Sequence, residues 1–174
     1  MIQIRKAVEK DIDAIAEIYN QIHASAERGE VYTGWIREIY PVRATAEAAL
    51  KRGDLFVECL DGQTVGTGIL NKMQVDVYAQ GNWQYDAPDD QIMVLHTLVI
   101  DPRVKGHGLG KAFVNFYEQY ARECGCTALR IDTNAKNVNA RAFYKKLHFD
   151  EIGIVPCDFN GIPGIQLVLM EKKL

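Results

Sequence analysis

The sequence predicts a mixed α/β fold in which a central, mostly antiparallel sheet is flanked by helices. Two apolar runs, Leu55 to Leu60 and Thr64 to Asn71, meet at Asp61-Gly62 and read as a hairpin. A β-branched run from Ile92 to Ile100 and a shorter one from Leu129 to Thr133 read as strands with a helical stretch between them. Neighbouring strands joined through a helix run parallel, because the crossover carries the chain back to its starting end.

In chain order, Ile2-Gln3-Ile4-Arg5 alternates as a short strand. Asp11 stands where a helix cap belongs, before a stripe of Ile12, Ile15, Ala16, Tyr19 and Ile22. A loop follows His23, and a second helix from about Thr45 to Arg52 ends at Gly53. After the hairpin, Val75 to Asp90 is polar and turn-rich, with Trp83 and Tyr85 alternating like an edge strand. Leu109, Phe113, Phe116, Tyr117, Tyr120 and Cys124 recur at helical spacing. Glu151 to Val155 and Ile165 to Glu171 read as two closing strands joined by the glycine- and proline-rich segment Phe159 to Gly164. No repeat or linker interrupts the 174 residues, which are expected to form a single domain over 1–174.

With 20 basic and 23 acidic side chains the chain is mildly acidic, so neither nucleic acid nor an anionic membrane is an expected partner. Charges at Arg5, Lys6, Glu9, Lys10 and Asp11 break any apolar leader, and no apolar stretch is long enough to span a bilayer. Cys59, Cys124, Cys126 and Cys157 lack paired metal-ligand spacing, so no metal is expected; reduced thiols fit a cytoplasmic protein.

Against that acidic background, Asp101-Pro102-Arg103-Val104-Lys105-Gly106-His107-Gly108-Leu109-Gly110-Lys111 carries a basic cluster between a strand and a helix. Alternate glycines bring the backbone close to a ligand, and first-turn helix amides lack intrahelical acceptors. Arg103, Lys105 and Lys111, opposed only by Asp101, add charge, as a phosphate site requires. The spacing is not that of the dinucleotide fingerprint, and Ala112 after Lys111 excludes the Walker loop.

The loop and a second motif, Asn137, Ala140, Phe143, Tyr144, Leu147 and Phe149, resemble those of the GNAT superfamily of acyl-CoA-dependent N-acetyltransferases. Two departures stand out: Lys105 replaces the usual Arg or Gln, and His148 replaces a glycine that normally ends the helix. The resemblance implies a GNAT-like fold whose one parallel strand pair splays apart. It implies acetyl-CoA as co-substrate, held by Leu98, Val99, Ile100, Lys105, Gly106, His107, Gly108, Leu109, Gly110, Lys111, Asn137 and Tyr144. A backbone N–H of Leu98 or Val99, at a bulge, would polarise the thioester carbonyl. Tyr144 would protonate the departing thiolate, with plain core packing as the alternative, and Asn137 serves equally as a helix cap.

His96 interrupts an apolar strand and has an ordinary pKa suited to accepting a proton from an ammonium. Asp132 is the second candidate base, water at a backbone edge the third, and a satisfied core histidine the bland account of His96. Tyr32, Trp35 and Tyr40 fall in the region that covers the acceptor in this family, with plain packing of the same aromatics as the alternative. The implied function is direct acetyl transfer to a primary amine in a ternary complex, the amine belonging to a small molecule. The alternatives are a peptide or protein amine and a non-catalytic acyl-CoA-binding module, and a homodimer is compatible with either.

Overall fold

The computed structural model describes the whole chain, Met1–Leu174. Its elements are β1 (Ile2–Lys6), α1 (Ile12–Glu27), α2 (Arg43–Arg52), β2 (Leu55–Leu60), β3 (Gln63–Asn71), β4 (Ile92–Ile100), α3 (Leu109–Glu123), β5 (Ala128–Asn134), α4 (Val138–Lys146), β6 (Asp150–Phe159) and β7 (Ile162–Lys173). The seven strands form one sheet ordered β1-β2-β3-β4-β5-β7-β6. The β1–β2, β2–β3, β5–β7 and β7–β6 pairs are antiparallel, whereas β4 and β5 are parallel, as the sequence predicts. The parallel register comprises Ile92↔Ala128, Met93↔Leu129 and Val94↔Arg130.

The chain divides into two compact units, residues 1–70 with 96–116, and residues 71–95 with 117–174, so β4 and α3 each contribute to both. In the first unit, Ile12, Ile15, Ile18 and Tyr19 of α1 and Ala46 and Ala49 of α2 pack with Leu55, Val57 and Cys59 of β2, Ile69 of β3 and Val99 of β4. Each large aliphatic side chain buried there contributes roughly 1.5–3 kcal/mol. Asp11 does not cap α1 with its side chain. It takes a two-pronged hydrogen bond from Arg5 (2.7 and 2.9 Å) and another from the Val8 amide (2.8 Å), because a buried carboxylate gains more from a guanidinium than from one amide.

The second unit packs Tyr78 with Ile92 and Val94 of β4, Ala128 of β5, Val155 of β6, and Leu167 and Leu169 of β7. The buried Tyr117 hydroxyl donates to the Met93 and Arg130 carbonyls at 2.7 and 3.0 Å, tying α3 to both parallel strands. The predicted edge strand around Trp83 and Tyr85 is not formed. Trp83 instead packs edge-on against Tyr78, donates its indole N–H to the Tyr78 carbonyl (2.7 Å), and lies 4.0 Å under the Arg130 guanidinium. The buried Glu171 carboxylate accepts from the Gln84 amide at 2.6 Å, so side chains satisfy backbone that a ladder would otherwise serve. The last two strands are longer than predicted and close on Asn160-Gly161, with φ of 50° and 81°, a two-residue turn of the kind that matches strand twist.

His148 leaves the end of α4 unchanged. At φ 66° it donates its amide to Lys145 O (3.0 Å), while the Phe149 amide reaches Tyr144 O (3.1 Å), the pair of bonds that a glycine makes in this position. A left-handed residue with a Cβ is strained, so His148→Gly is expected to raise unfolding free energy by about 1 kcal/mol in chemical denaturation.

Glu58 of β2 is fully buried, with no hydrogen bond to either carboxylate oxygen, and burial raises its pKa to about 7. The folded chain therefore keeps this proton over a range where the unfolded chain, with its ordinary value near 4.5, has lost it. Stability falls as pH rises through that window, by an amount on the order of 3 kcal/mol once it is passed. Glu58→Gln should flatten this dependence in denaturation curves recorded between pH 5 and pH 8.

Candidate active site

In the first unit, the turn from β4 into α3 is built on Asp101. Its amide donates to Val65 O (2.8 Å), its carbonyl accepts from the Val104 amide (2.9 Å), and its buried carboxylate takes the Arg103 amide (2.9 Å) and guanidinium (2.7–3.2 Å). That carboxylate sits below its ordinary pKa because the Arg103 bonds outweigh the burial that pushes the other way. Gly106 and Gly108 follow at φ 83° and 68°, with nothing within 4 Å of where a Cβ would be, so backbone conformation alone calls for glycine here. The Ala112 amide makes the first helical bond, to Gly108 O (2.9 Å), which leaves the Leu109, Gly110 and Lys111 amides as first-turn donors.

The basic cluster is smaller than the sequence suggests. Arg103 is committed to Asp101 and reaches Glu17 at 3.4 Å. Glu30 is held down to about 2 chiefly by Arg28 and Ser25, with a further contribution from Lys105. The exposed Lys105 and Lys111 and the helix amides are what this turn offers an anion.

On β4, His96, Leu98 and Ile100 are half-buried and Val99 is buried in the core. Between His96 and Leu98, Thr97 has φ 52°, a left-handed conformation that β-branched residues rarely adopt. This departs from strand geometry inside β4, which nevertheless continues to Ile100, and the Tyr40 hydroxyl is hydrogen-bonded to Thr97 Oγ1. Tyr32 and Trp35 line a concavity of about 500 Å³ together with His23, Glu27, Arg37 and Glu38. Arg37 clamps Glu27 through two 2.8 Å bonds, which lowers that carboxylate, and His23 Nε2 donates to Pro41 O at 2.9 Å.

The second unit brings together Tyr144 of α4 and Asp132 of β5. Tyr144 is buried, with edge contacts to Phe143 and Phe149 at 5.1 and 5.8 Å. Burial first, then the Asp132 charge, raise its hydroxyl above the ordinary value, so it stays protonated at neutral pH. Burial lifts Asp132 to about 6, while the Tyr78 hydroxyl, donating at 2.7 Å, pulls it down. Asn137 is the cap of α4: its Oδ1 accepts from the Ala140 amide at 3.1 Å.

Sequence reasoning missed Tyr78, and it placed Tyr40 with the acceptor region and not against Thr97. Tyr78 lies in a stretch dominated by turn residues, where one buried aromatic leaves no period to detect.

The model of the acetyltransferase (GNAT) family matches residues 13–149. The chain belongs to that family. An uncharacterized N-acetyltransferase of Methanocaldococcus jannaschii is 25% identical over 158 residues, 87% of this chain and 62% of the relative. An aminoglycoside N(6')-acetyltransferase type 1 of Stenotrophomonas maltophilia is 25% identical over 108 residues, 62% of this chain and 66% of the relative. The chain thus spans less than two thirds of the length of either GNAT relative. Among solved structures, a GNAT family acetyltransferase of Streptococcus agalactiae superposes with a TM-score of 0.82 at 23% identity, covering 99% of this chain and 95% of the other. A putative acetyltransferase of Salmonella typhimurium, solved with its cofactor acetyl-CoA, superposes with a TM-score of 0.64 at 19% identity, covering 99% and 94%. Both show a shared GNAT fold.

Because the Tyr78 hydrogen bond favours ionised Asp132, Tyr78→Phe should move the Asp132 titration above 6, as read by carboxyl-carbon NMR across pH 4 to 9.

Proposed function

We propose that this GNAT chain transfers an acetyl group from acetyl-CoA to the primary amine of a small molecule, by direct attack in a ternary complex. The observation that carries this reading is the left-handed glycine turn opening α3 directly after a strand with a left-handed residue at Thr97. Acetyl-CoA supplies the acyl group as a thioester. The amides of Leu109 to Lys111, with Lys105, Lys111 and the open backbone of Gly106, His107 and Gly108, hold its pyrophosphate. The Leu98 or Val99 amide, next to Thr97, donates to the thioester oxygen as negative charge develops there. Asp132 or His96 takes the proton from the attacking nitrogen, and Tyr144 gives one to the sulfur as the C–S bond breaks. Asn137 keeps its amide N–H groups for the cofactor while its oxygen caps α4. Tyr32 and Trp35 face the acceptor, and a concavity of about 500 Å³ suits a small-molecule group.

Isothermal calorimetry with acetyl-CoA, alongside thiol release over a panel of amines and peptides, tests the reading. Binding with turnover on a small amine is the expected result; binding with no turnover on any acceptor overturns catalysis, and turnover confined to peptides overturns the acceptor class. Tyr144→Phe should lower kcat at least about a hundredfold with acetyl-CoA affinity retained. The pH–rate profile should have an ascending limb that Asp132→Asn removes; if only His96→Ala removes it, His96 is the base.

A further inference from the structure

The Thr97 conformation needs a cause. A β-branched residue in the left-handed region is strained and persists only where its surroundings impose it. Nothing in the sequence around it, His96-Thr97-Leu98, supplies the glycine or asparagine that usually accepts such a conformation. The partner that the structure provides for the Thr97 side chain is the Tyr40 hydroxyl, far away in sequence.

Tyr40 is itself held from three sides. Its amide donates to Ile36 O at 2.9 Å within an Ile36↔Tyr40 bridge. The Trp35 ring meets its ring edge-on at 6.1 Å and 79°. The next residue, Pro41, is anchored through its carbonyl by the buried His23. Trp35 and His23 also line the concavity assigned to the acceptor. One wall of that concavity and the left-handed residue of β4 are therefore joined through the Tyr40–Thr97 hydrogen bond.

We infer that Tyr40 is a positioning residue: its hydroxyl holds Thr97 in the left-handed conformation that sets the direction of the Leu98 and Val99 amides. This rests on the proposed acetyl transfer for its consequence in turnover, but not for its consequence in structure. Tyr40 touches no reacting atom; it acts through Thr97.

The test has a structural arm and a kinetic arm. In Tyr40→Phe, which keeps the ring against Trp35, amide hydrogen exchange at Thr97, Leu98 and Val99 should speed up about tenfold, while exchange at Met93 and Val94 stays as in the parent. Unchanged exchange at the three amides overturns the inference whether or not the chain proves to be an acetyltransferase. In the kinetic arm, Tyr40→Phe should lower kcat about ten- to a hundredfold with acetyl-CoA affinity unchanged, the size of loss expected when a donor is misplaced. The same substitution is then made in a Thr97→Gly background, where glycine accepts the left-handed conformation without help. There the loss should shrink to about twofold or less, the non-additivity of two residues acting as one unit. A loss of equal size in both backgrounds overturns positioning and makes the Tyr40 hydroxyl a direct participant. If the parent chain neither binds acetyl-CoA nor acetylates an amine, the proposed function fails, and the exchange arm still decides the role of Tyr40.

Discussion

Parallel strands cannot be joined by a hairpin, and most of what matters here follows from that constraint on β4 and β5. The chain must leave the carboxyl end of β4, return along a helix, and enter β5 at the starting end. The turn from strand to helix then leaves the first-turn amides of α3 without intrahelical acceptors. Asp101 makes this turn by accepting the Arg103 amide and guanidinium, and Gly106 and Gly108 complete it in conformations that cost other residues free energy. Tyr117, farther along the helix, binds carbonyls of both parallel strands and secures the crossover from the inside.

Four non-glycine residues in the chain have positive φ: Asp61, Thr97, His148 and Asn160. Three have local explanations. Asp61 and Asn160 precede glycines in two-residue hairpin turns, where short polar side chains are tolerated. His148 ends α4 with the hydrogen bonds a glycine would make. Thr97 has no such local reason, since it is β-branched and in mid-strand. The contact its side chain makes is tertiary, with the Tyr40 hydroxyl.

Asp11, Asp101 and Glu58 are buried and Asp132 is half-buried, and these four carboxylates divide by partner. Asp11 and Asp101 each lie against an arginine that holds the charged form. Asp132 has only the Tyr78 hydroxyl against its burial and is raised to about 6; Glu58 has no partner and is raised to about 7. The same desolvation thus yields stable anions where a guanidinium is near and groups titrating close to neutrality where it is not. Of the two, Asp132 is the one whose charge acts on Tyr144, and it is the one that enters the proposed chemistry.

Period and punctuation in the sequence determined most of the fold. The helical stripes, the β-branched run at Ile92 to Ile100, the Asp61-Gly62 turn and the glycine spacing each depend on residues close together in the chain. The glycine-rich turn opening α3, and Tyr144, His96 and Asp132 as candidates, could be named from residues close together in the chain. What sequence could not determine depends on residues that meet only after folding. Arg103 reads as one of the open cations of the turn until Glu17, distant in sequence, is found against it. Trp83 reads as part of an edge strand until Arg130 and Tyr78 enclose it. Thr97 reads as an ordinary strand residue until Tyr40 reaches it across 57 positions of chain. A side chain's partner, and through it the pKa or backbone conformation it takes, is a property of three-dimensional neighbours, and only tertiary structure selects those.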